Sequence, residues 1–185
     1  MRPEKVESDE AWAQRAQTDR EAFGELVRRY ADKIYNLAYR MTGDRTEAED
    51  LAQEAFVRAY RGLPGFKQEY PFGAWLYRIA VNVCLTERRH KGSAPADQLS
   101  EESEISIGAP SLEETAERHE MQAAVQQAIL SLPPMYRAVV ILYHLEGRSY
   151  DEIATLLDLP INTVRTHLHR GRALLKDRLA PSDNR

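Results

Sequence analysis

Apolar residues recur at helical steps in two stretches of this chain and thin out between them. In the first stretch Phe23, Leu26, Val27, Tyr30, Ile34, Leu37, Ala38 and Met41 follow one another at three- and four-residue intervals, which makes a single apolar stripe. Gly43 and Asp44 interrupt it. A second helix is expected from Thr46 to Arg61, with Leu51, Ala55, Phe56 and Ala59 turned inward, and Leu63-Pro64-Gly65 ends it. A loop runs to Pro71. A third helix, Phe72 to His90, buries Trp75, Leu76, Ile79, Ala80 and Val83 and closes on Arg88, Arg89, His90 and Lys91.

The second stretch is helical by the same criterion. Val125, Ile129 and Leu132 belong to a helix that stops before Pro133-Pro134. Val139, Val140, Leu142 and Tyr143 define the next one, which stops at Gly147. Ser149-Tyr150-Asp151-Glu152 has the form of a capping box, with Ser149 as N-cap and Glu152 reaching back. The short helix after it carries Ile153, Ala154, Leu156 and Leu157. Asp158-Leu159-Pro160 turns the chain, and Asn162 is placed to cap a last helix from Thr163 to Leu179. No strand pattern and no internal repeat are evident. The fold class expected is therefore all-α: two small helical domains, at 20–92 and 122–180, the second a helix-turn-helix domain.

Charge sharpens the boundary between them. Asp97, Glu101, Glu102, Glu104, Glu113, Glu114, Glu117 and Glu120 face one strong base, Arg118, in a stretch that also holds Pro95, Gly108 and Pro110. Residues 93–121 are expected to form a flexible acidic linker.

Residues 149–176 read as helix, tight turn and helix, the arrangement in which the second helix lies in the major groove of DNA. Val164, Leu168 and Leu175 would hold that helix on its domain. The opposite face offers Arg165, Thr166, His167, His169, Arg170 and Arg172. Arg165 and Thr166, near the helix start, are positioned for base edges, since the arginine fork matches guanine O6 and N7. Arg170, Arg172, Lys176 and Arg178 suit phosphates. A basic run on a terminal helix is by itself no more than a solvated face. The capping box, the turn and the basic face in this order favour DNA binding.

Composition bounds the rest. The chain has 185 residues, 43% hydrophobic and 29% charged, with 9 Gly and 9 Pro, which suits an ordered, soluble helical protein. Its formal net charge of −4 argues against a general nucleic-acid coat but leaves room for localised basic patches. No run approaches the roughly 18 apolar residues of a membrane span, and the start Met1-Arg2-Pro3-Glu4-Lys5 lacks the apolar core of a signal peptide. A cytoplasmic protein without direct membrane insertion is expected. Cys84 is the one cysteine, so neither an intrachain disulfide nor a cysteine zinc site is available, and its place beside the apolar stripe suits a small buried hydrophobe.

No HExxH, GxSxG or P-loop is present. His90, His119 and His144 stand alone in sequence, and His167 and His169 do not share a helix face. No catalytic residue, metal or cofactor is expected, and the chain is not read as an enzyme. A free-standing regulator with the same helix-turn-helix would call for a dimer seam or a ligand domain, and neither is evident.

Both helical stretches resemble the sigma-70 superfamily in its smallest group, the extracytoplasmic-function sigma factors. The resemblance rests on the run from Asp44 to Phe56 (DRTEAEDLAQEAF), the run from Phe72 to Asn82 (FGAWLYRIAVN) with Arg88-Arg89, Leu132-Pro133, and the run from Thr163 to Arg170 (TVRTHLHR). Their order and spacing are more specific than any one alone. The resemblance implies a subunit that directs bacterial RNA polymerase core to promoter DNA and assists melting. It implies that 20–92 corresponds to sigma region 2 and 122–180 to region 4.

On that basis the second helix would bind a coiled coil of core polymerase through Glu49, Asp50, Gln53, Glu54 and Phe56. Acids and amides around an aromatic anchor suit a basic partner, although Phe56 is equally well read as core. The loop and third helix would hold the opened minus-ten strand through Phe66, Tyr70, Phe72, Tyr77, Arg78, Asn82, Arg88 and Arg89, with rings for unstacked bases and cations for the backbone. Trp75 belongs to the apolar stripe and is assigned to the core. The recognition helix would read the minus-thirty-five element through Arg165, Thr166, His167, His169, Arg170 and Arg172.

The chain departs from the family pattern at Thr86, often Asp, at Asn162, often Gly, and at His167, often Arg, so the promoter sequence does not carry over from relatives. The acidic linker would thread a cationic channel of polymerase, or act as a plain extended tether. The resemblance further implies an anti-sigma factor as a partner, in many members a membrane-anchored one.

Overall fold

A computed structural model describes residues 7–90 and 112–180, with the backbone alone at 88–90 and 112–119. The described residues form eight α-helices and no strand, so the expected all-α class holds. The order is α1 (Asp9–Arg15), α2 (Arg20–Thr42), α3 (Arg45–Gly62), a single 3-10 turn at Leu63–Gly65, α4 (Phe72–His90), α5 (Leu112–Leu130), α6 (Pro134–His144), α7 (Tyr150–Leu157) and α8 (Ile161–Leu179).

The first half packs α2, α3 and α4 around the stripe read from the sequence. Leu26, Ile34, Leu37 and Met41 are wholly buried, and each contributes about 1.5–3 kcal/mol by leaving water. Asp19 starts α2 by accepting from the Glu21 amide at 2.9 Å. Gly43 ends it at φ +78°, the left-handed geometry that a glycine adopts without strain. The next residue, Asp44, caps α3 by accepting from the Glu47 amide at 2.7 Å. Cys84 is buried, and burial, with Glu47 nearby, pushes its thiol up to about 12, which fits the packing role expected of it. α1 was outside the expected domain. It is only seven residues long, so its apolar positions (Trp12, Ala13) are too few to show a period.

In the second half two boundaries differ from expectation. α5 begins at Leu112, so residues 112–121, expected as the end of the linker, are helical. Past Pro110 the sequence has no Pro or Gly until Pro133 and is rich in Glu, Ala and Gln, all helix formers. Residues 91–111 lie outside the described residues. α8 begins at Ile161 rather than Thr163, after the extended residue Pro160. Asn162 therefore sits inside the first turn and does not cap the helix: its Oδ1 accepts from Arg165 at 3.3 Å, and its carbonyl accepts from the Thr166 hydroxyl at 2.9 Å.

The halves meet along a seam between α2 and α4 on one side and α5, α6 and α7 on the other. Arg137 of α6 is 2% exposed. It donates to the Met41 carbonyl at 2.5 Å, to Leu132 at 3.1 Å and to Leu130. The Met41 carbonyl lies in the last turn of α2, where a cation is favoured by the helix dipole. Gln126 donates to the Tyr39 carbonyl at 3.3 Å, and the Leu130 side chain covers Gly43 so closely that a Cβ there would clash. No described helix is long and apolar enough to cross a membrane.

Candidate nucleic-acid interface

The helix-turn-helix is built as its sequence indicates. The Ser149 hydroxyl accepts from the Glu152 amide at 3.3 Å, and the Glu152 carboxylate accepts from the Ser149 amide at 2.8 Å, so the capping box closes. Those bonds, the backbone one first, hold the Glu152 carboxyl below its usual range. Asp158 ends α7 with φ 56°, and the Leu159 amide returns to the Ala154 carbonyl at 2.9 Å. This left-handed residue makes the turn. Val164 and Leu168 are buried, and Leu175 packs on the core from the edge. Gly171 was not singled out in the sequence. It lets α8 approach α6 so closely that a Cβ would lie 2.8 Å from a Val140 methyl.

The outer face of α8 exposes Arg165, Thr166, His169, Arg170 and Arg172, while His167 is half-buried. Three of these arms are supported from behind. Arg170 donates to the Tyr136 hydroxyl at 3.3 Å, which raises the guanidinium's already high value. Arg172 donates from Nε to His144 Nε2 at 3.0 Å, and its guanidinium lies over the Tyr143 ring at 5.1 Å. The His167 ring packs 5.0 Å from that of Tyr136. Partial burial first, and Arg170 second, lower the His167 value; burial and Arg172 lower that of His144. Both rings are therefore neutral near pH 7. His144, isolated in sequence, serves here as the acceptor that orients Arg172.

The minus-ten candidates divide. Tyr70 is 59% exposed, and Arg78 and Asn82 are exposed on α4. Phe66 and Phe72 are core residues as the protein stands. They pack ring to ring at 5.7 Å, and each meets Trp75, at 5.1 and 5.7 Å, which buries both and leaves no free face for a base. Tyr77 is 2% exposed because the second half covers it. Its hydroxyl donates to Glu146 at 2.7 Å, and Arg148 lies over its ring at 4.9 Å. Burial first, then Glu146, raises its value, so it remains a phenol. The side chains of Arg88 and Arg89 lie outside the described residues. Of the polymerase-binding candidates, Glu49, Asp50 and Gln53 are exposed in a row on α3. Glu54 is paired with Arg58 at 2.6 Å, and Phe56 is half-buried against the core.

Sequence reading passed over Glu146, Arg148 and Arg137. The one available signal was Arg137, a cation in the apolar run from Met135 to Tyr143. Among the described residues no group of three or more His, Cys, Asp or Glu is placed to hold a metal ion.

A helical half and a helix-turn-helix half in this order define a sigma-70-type transcription factor. Residues 26–94 match Sigma-70 region 2, and residues 122–175 match Sigma-70, region 4; α1 precedes both matches. The chain is 40% identical over 169 residues to the ECF RNA polymerase sigma factor SigW of Bacillus subtilis strain 168, spanning 87% of this chain and 90% of the relative. Its fold is similar to CnrH, solved in complex with the cytosolic domain of CnrY (TM-score 0.68, 28% identity, 91% of this chain and 95% of that one). It also has the fold of the sigma factor RpoE in its complex with the anti-sigma factor NepR from Bartonella quintana (TM-score 0.68, 20% identity, 85% and 96%). The chain belongs to the extracytoplasmic-function sigma factors of the sigma-70 family, which direct RNA polymerase to promoters for transcription initiation.

Proposed function

We propose that α8 reads the minus-thirty-five element in the major groove, α4 with the loop 66–71 holds the opened minus-ten strand, and α3 docks on core polymerase. The observation that carries this reading is the face of α8. Five exposed polar and cationic side chains stand on α8, which is set in place by the capped helix α7 before it, a left-handed turn and its own buried apolar side. Arg165 and Thr166 are assigned to base edges, and Arg170, Arg172 and Lys176 to phosphates. Glu49, Asp50 and Gln53 supply the exposed acidic and amide row for core polymerase, with Glu54 and Phe56 behind it.

On the minus-ten side Tyr70 and Asn82 are free to act, Arg78 is exposed with Asp158 as a loose partner at 3.9 Å, and Arg88 and Arg89 follow along α4. Tyr77 can meet a base only when α4 parts from α6 and α7. Phe66 and Phe72 act by shaping the loop. The chain itself carries out no catalysis, works in the cytoplasm, and has core polymerase, promoter DNA and an anti-sigma factor as partners. The two domains are 20–92, with α1 packed on it, and 122–180, and the stretch 93–121 that joins them ends in the first turns of α5.

The test is run-off transcription with cognate core polymerase, with and without this protein, on promoters identified from transcripts induced by its overexpression. Protein-dependent initiation that is lost in Arg165→Ala plus Arg170→Ala is the expected result. No initiation with cognate core, together with a specific duplex shift by the protein alone, would make it a free-standing regulator instead.

A further inference from the structure

The loop 67–71 is exposed throughout and holds itself together by a single backbone bond, Tyr70 amide to Lys67 carbonyl at 3.2 Å. The helix it feeds, α4, is preceded by Pro71, which has no side-chain oxygen to cap the free amides of the first turn. α1 supplies what is missing. The Glu10 carboxylate accepts from the Phe72 amide at 3.0 Å, 62 positions away, and the Glu10 carbonyl accepts from the Gln68 side chain at 3.4 Å. One residue thus holds the loop at both ends, and its charge sits where the dipole of α4 favours an anion.

α1 is itself tied down. Asp9 accepts from Arg29 at 2.8 Å and from the Tyr30 hydroxyl at 2.7 Å. The Tyr30 ring meets Phe72 edge-on at 5.6 Å, and α4 passes so near that a Cβ on Gly73 would lie 2.7 Å from the Tyr30 oxygen. The clamp therefore rests on α2, not on a loose terminus.

We infer that α1 is a brace for the strand-opening loop, its backbone holding Gln68, and that the Glu10 carboxylate is a positioning group for promoter melting, acting through Phe72 rather than on DNA. This rests on the reading that the loop engages the minus-ten strand. Glu10 sets how firmly Tyr70 is presented, and so how well one base is told from another. Duplex binding by α8 and docking of α3 do not depend on it.

The experiment uses reconstituted holoenzyme carrying Glu10→Ala, Glu10→Gln or Tyr70→Ala. It measures core affinity, affinity for a minus-thirty-five duplex, and opening by 2-aminopurine fluorescence in the minus-ten strand, on the cognate promoter and on one with a substituted minus-ten base. Glu10→Ala is expected to slow opening roughly five-fold, the factor that one lost helix cap corresponds to, and to narrow the ratio between the two promoters. Core and duplex affinities stay unchanged. Glu10→Gln, whose amide oxygen can still accept from Phe72, returns opening to within about two-fold. Wild-type opening and discrimination in Glu10→Ala, with Tyr70→Ala impaired, overturns the brace and leaves the loop reading standing. Wild-type behaviour in both overturns the loop reading and the brace with it. A loss of core affinity in Glu10→Ala that Glu10→Gln does not restore makes Glu10 a general fold residue and also overturns the inference.

Discussion

The Tyr77 hydroxyl donates to the Glu146 carboxylate at 2.7 Å, and this bond joins the helix expected to hold melted DNA to the half proposed to read duplex DNA. Glu146 also accepts from Arg40 at 2.7 Å, with only 14% of its side chain exposed. Bonds to a charged group so shielded contribute about 1.5–3 kcal/mol each. Together with Arg137 they hold a closed arrangement in which the ring of Tyr77 is covered.

Glu146→Ala should therefore open the molecule. The open population is expected to rise ten-fold or more, the equivalent of one such bond. Energy transfer between dyes placed on the exposed faces of α3 and α8 reads this directly. An unchanged transfer distribution in the variant would show that the seam is held without Glu146, by its apolar contacts, Arg137 and Gln126.

Arg137 leads to a stability prediction. Its guanidinium serves the carbonyls of Met41, Leu130 and Leu132 from a buried position. Arg137→Met keeps the volume but leaves those carbonyls without that donor, at a cost of about 2–4 kcal/mol. Arg137→Lys should recover little of it, because a point ammonium cannot replace a planar fork across both halves. Denaturant midpoints of the three proteins decide the matter, and a Lys variant as stable as the parent would refute the fork argument.

How much of this was legible beforehand follows the range of the forces. Helices α2 to α4 and α6 to α8 could be read because their apolar periods, the break at Gly43-Asp44 and the Ser149-Glu152 cap are local. Asp158 and the basic face of α8 were local too. The roles of Glu146, Arg148 and Glu10 were not legible, because each is set by a partner far off in sequence. Phe66, Phe72 and Tyr77 look alike as aromatic residues near one loop, and only packing separates them from Tyr70. Asn162 was misplaced as a cap because α8 starts two residues earlier, after Pro160, and a side chain cannot announce which of two nearby residues the backbone will choose.

The histidines give a pH prediction. His167 is half-buried beside Tyr136 with Arg170 near it, and its folded value is below the ordinary 6.5. The sign follows from linkage: below about pH 6.5 the unfolded chain takes up a proton that the folded one refuses, so stability falls as pH drops through that value and is flat above it. His144 shifts in the same direction, by partial burial and Arg172. Thermal unfolding from pH 8 to 5 should show a decline confined to the acid side. His167→Gln should shallow it; a variant with the parent's acid slope would place the effect elsewhere.

Arg165 and Arg172 should behave as different kinds of DNA contact although both are exposed arginines on one helix. Arg165 stands at the start of the second turn of α8, held loosely by Asn162 at 3.3 Å and lying 6.0 Å from the Tyr150 ring, free to turn its fork to a base edge. Arg172 is two turns further along, fixed by His144 and Tyr143, which suits a phosphate of set position. Arg165→Ala in holoenzyme should cost about 1–3 kcal/mol on the cognate promoter and relax preference at one minus-thirty-five base. Arg172→Ala should weaken all promoters alike and reduce the salt slope by about one. His144→Ala should mimic a part of the Arg172→Ala effect, since it removes the acceptor that orients that arm. Promoter affinities at several salt concentrations, on cognate and base-substituted templates, separate the two classes. A salt slope that drops for Arg165→Ala and not for Arg172→Ala would reverse the assignment.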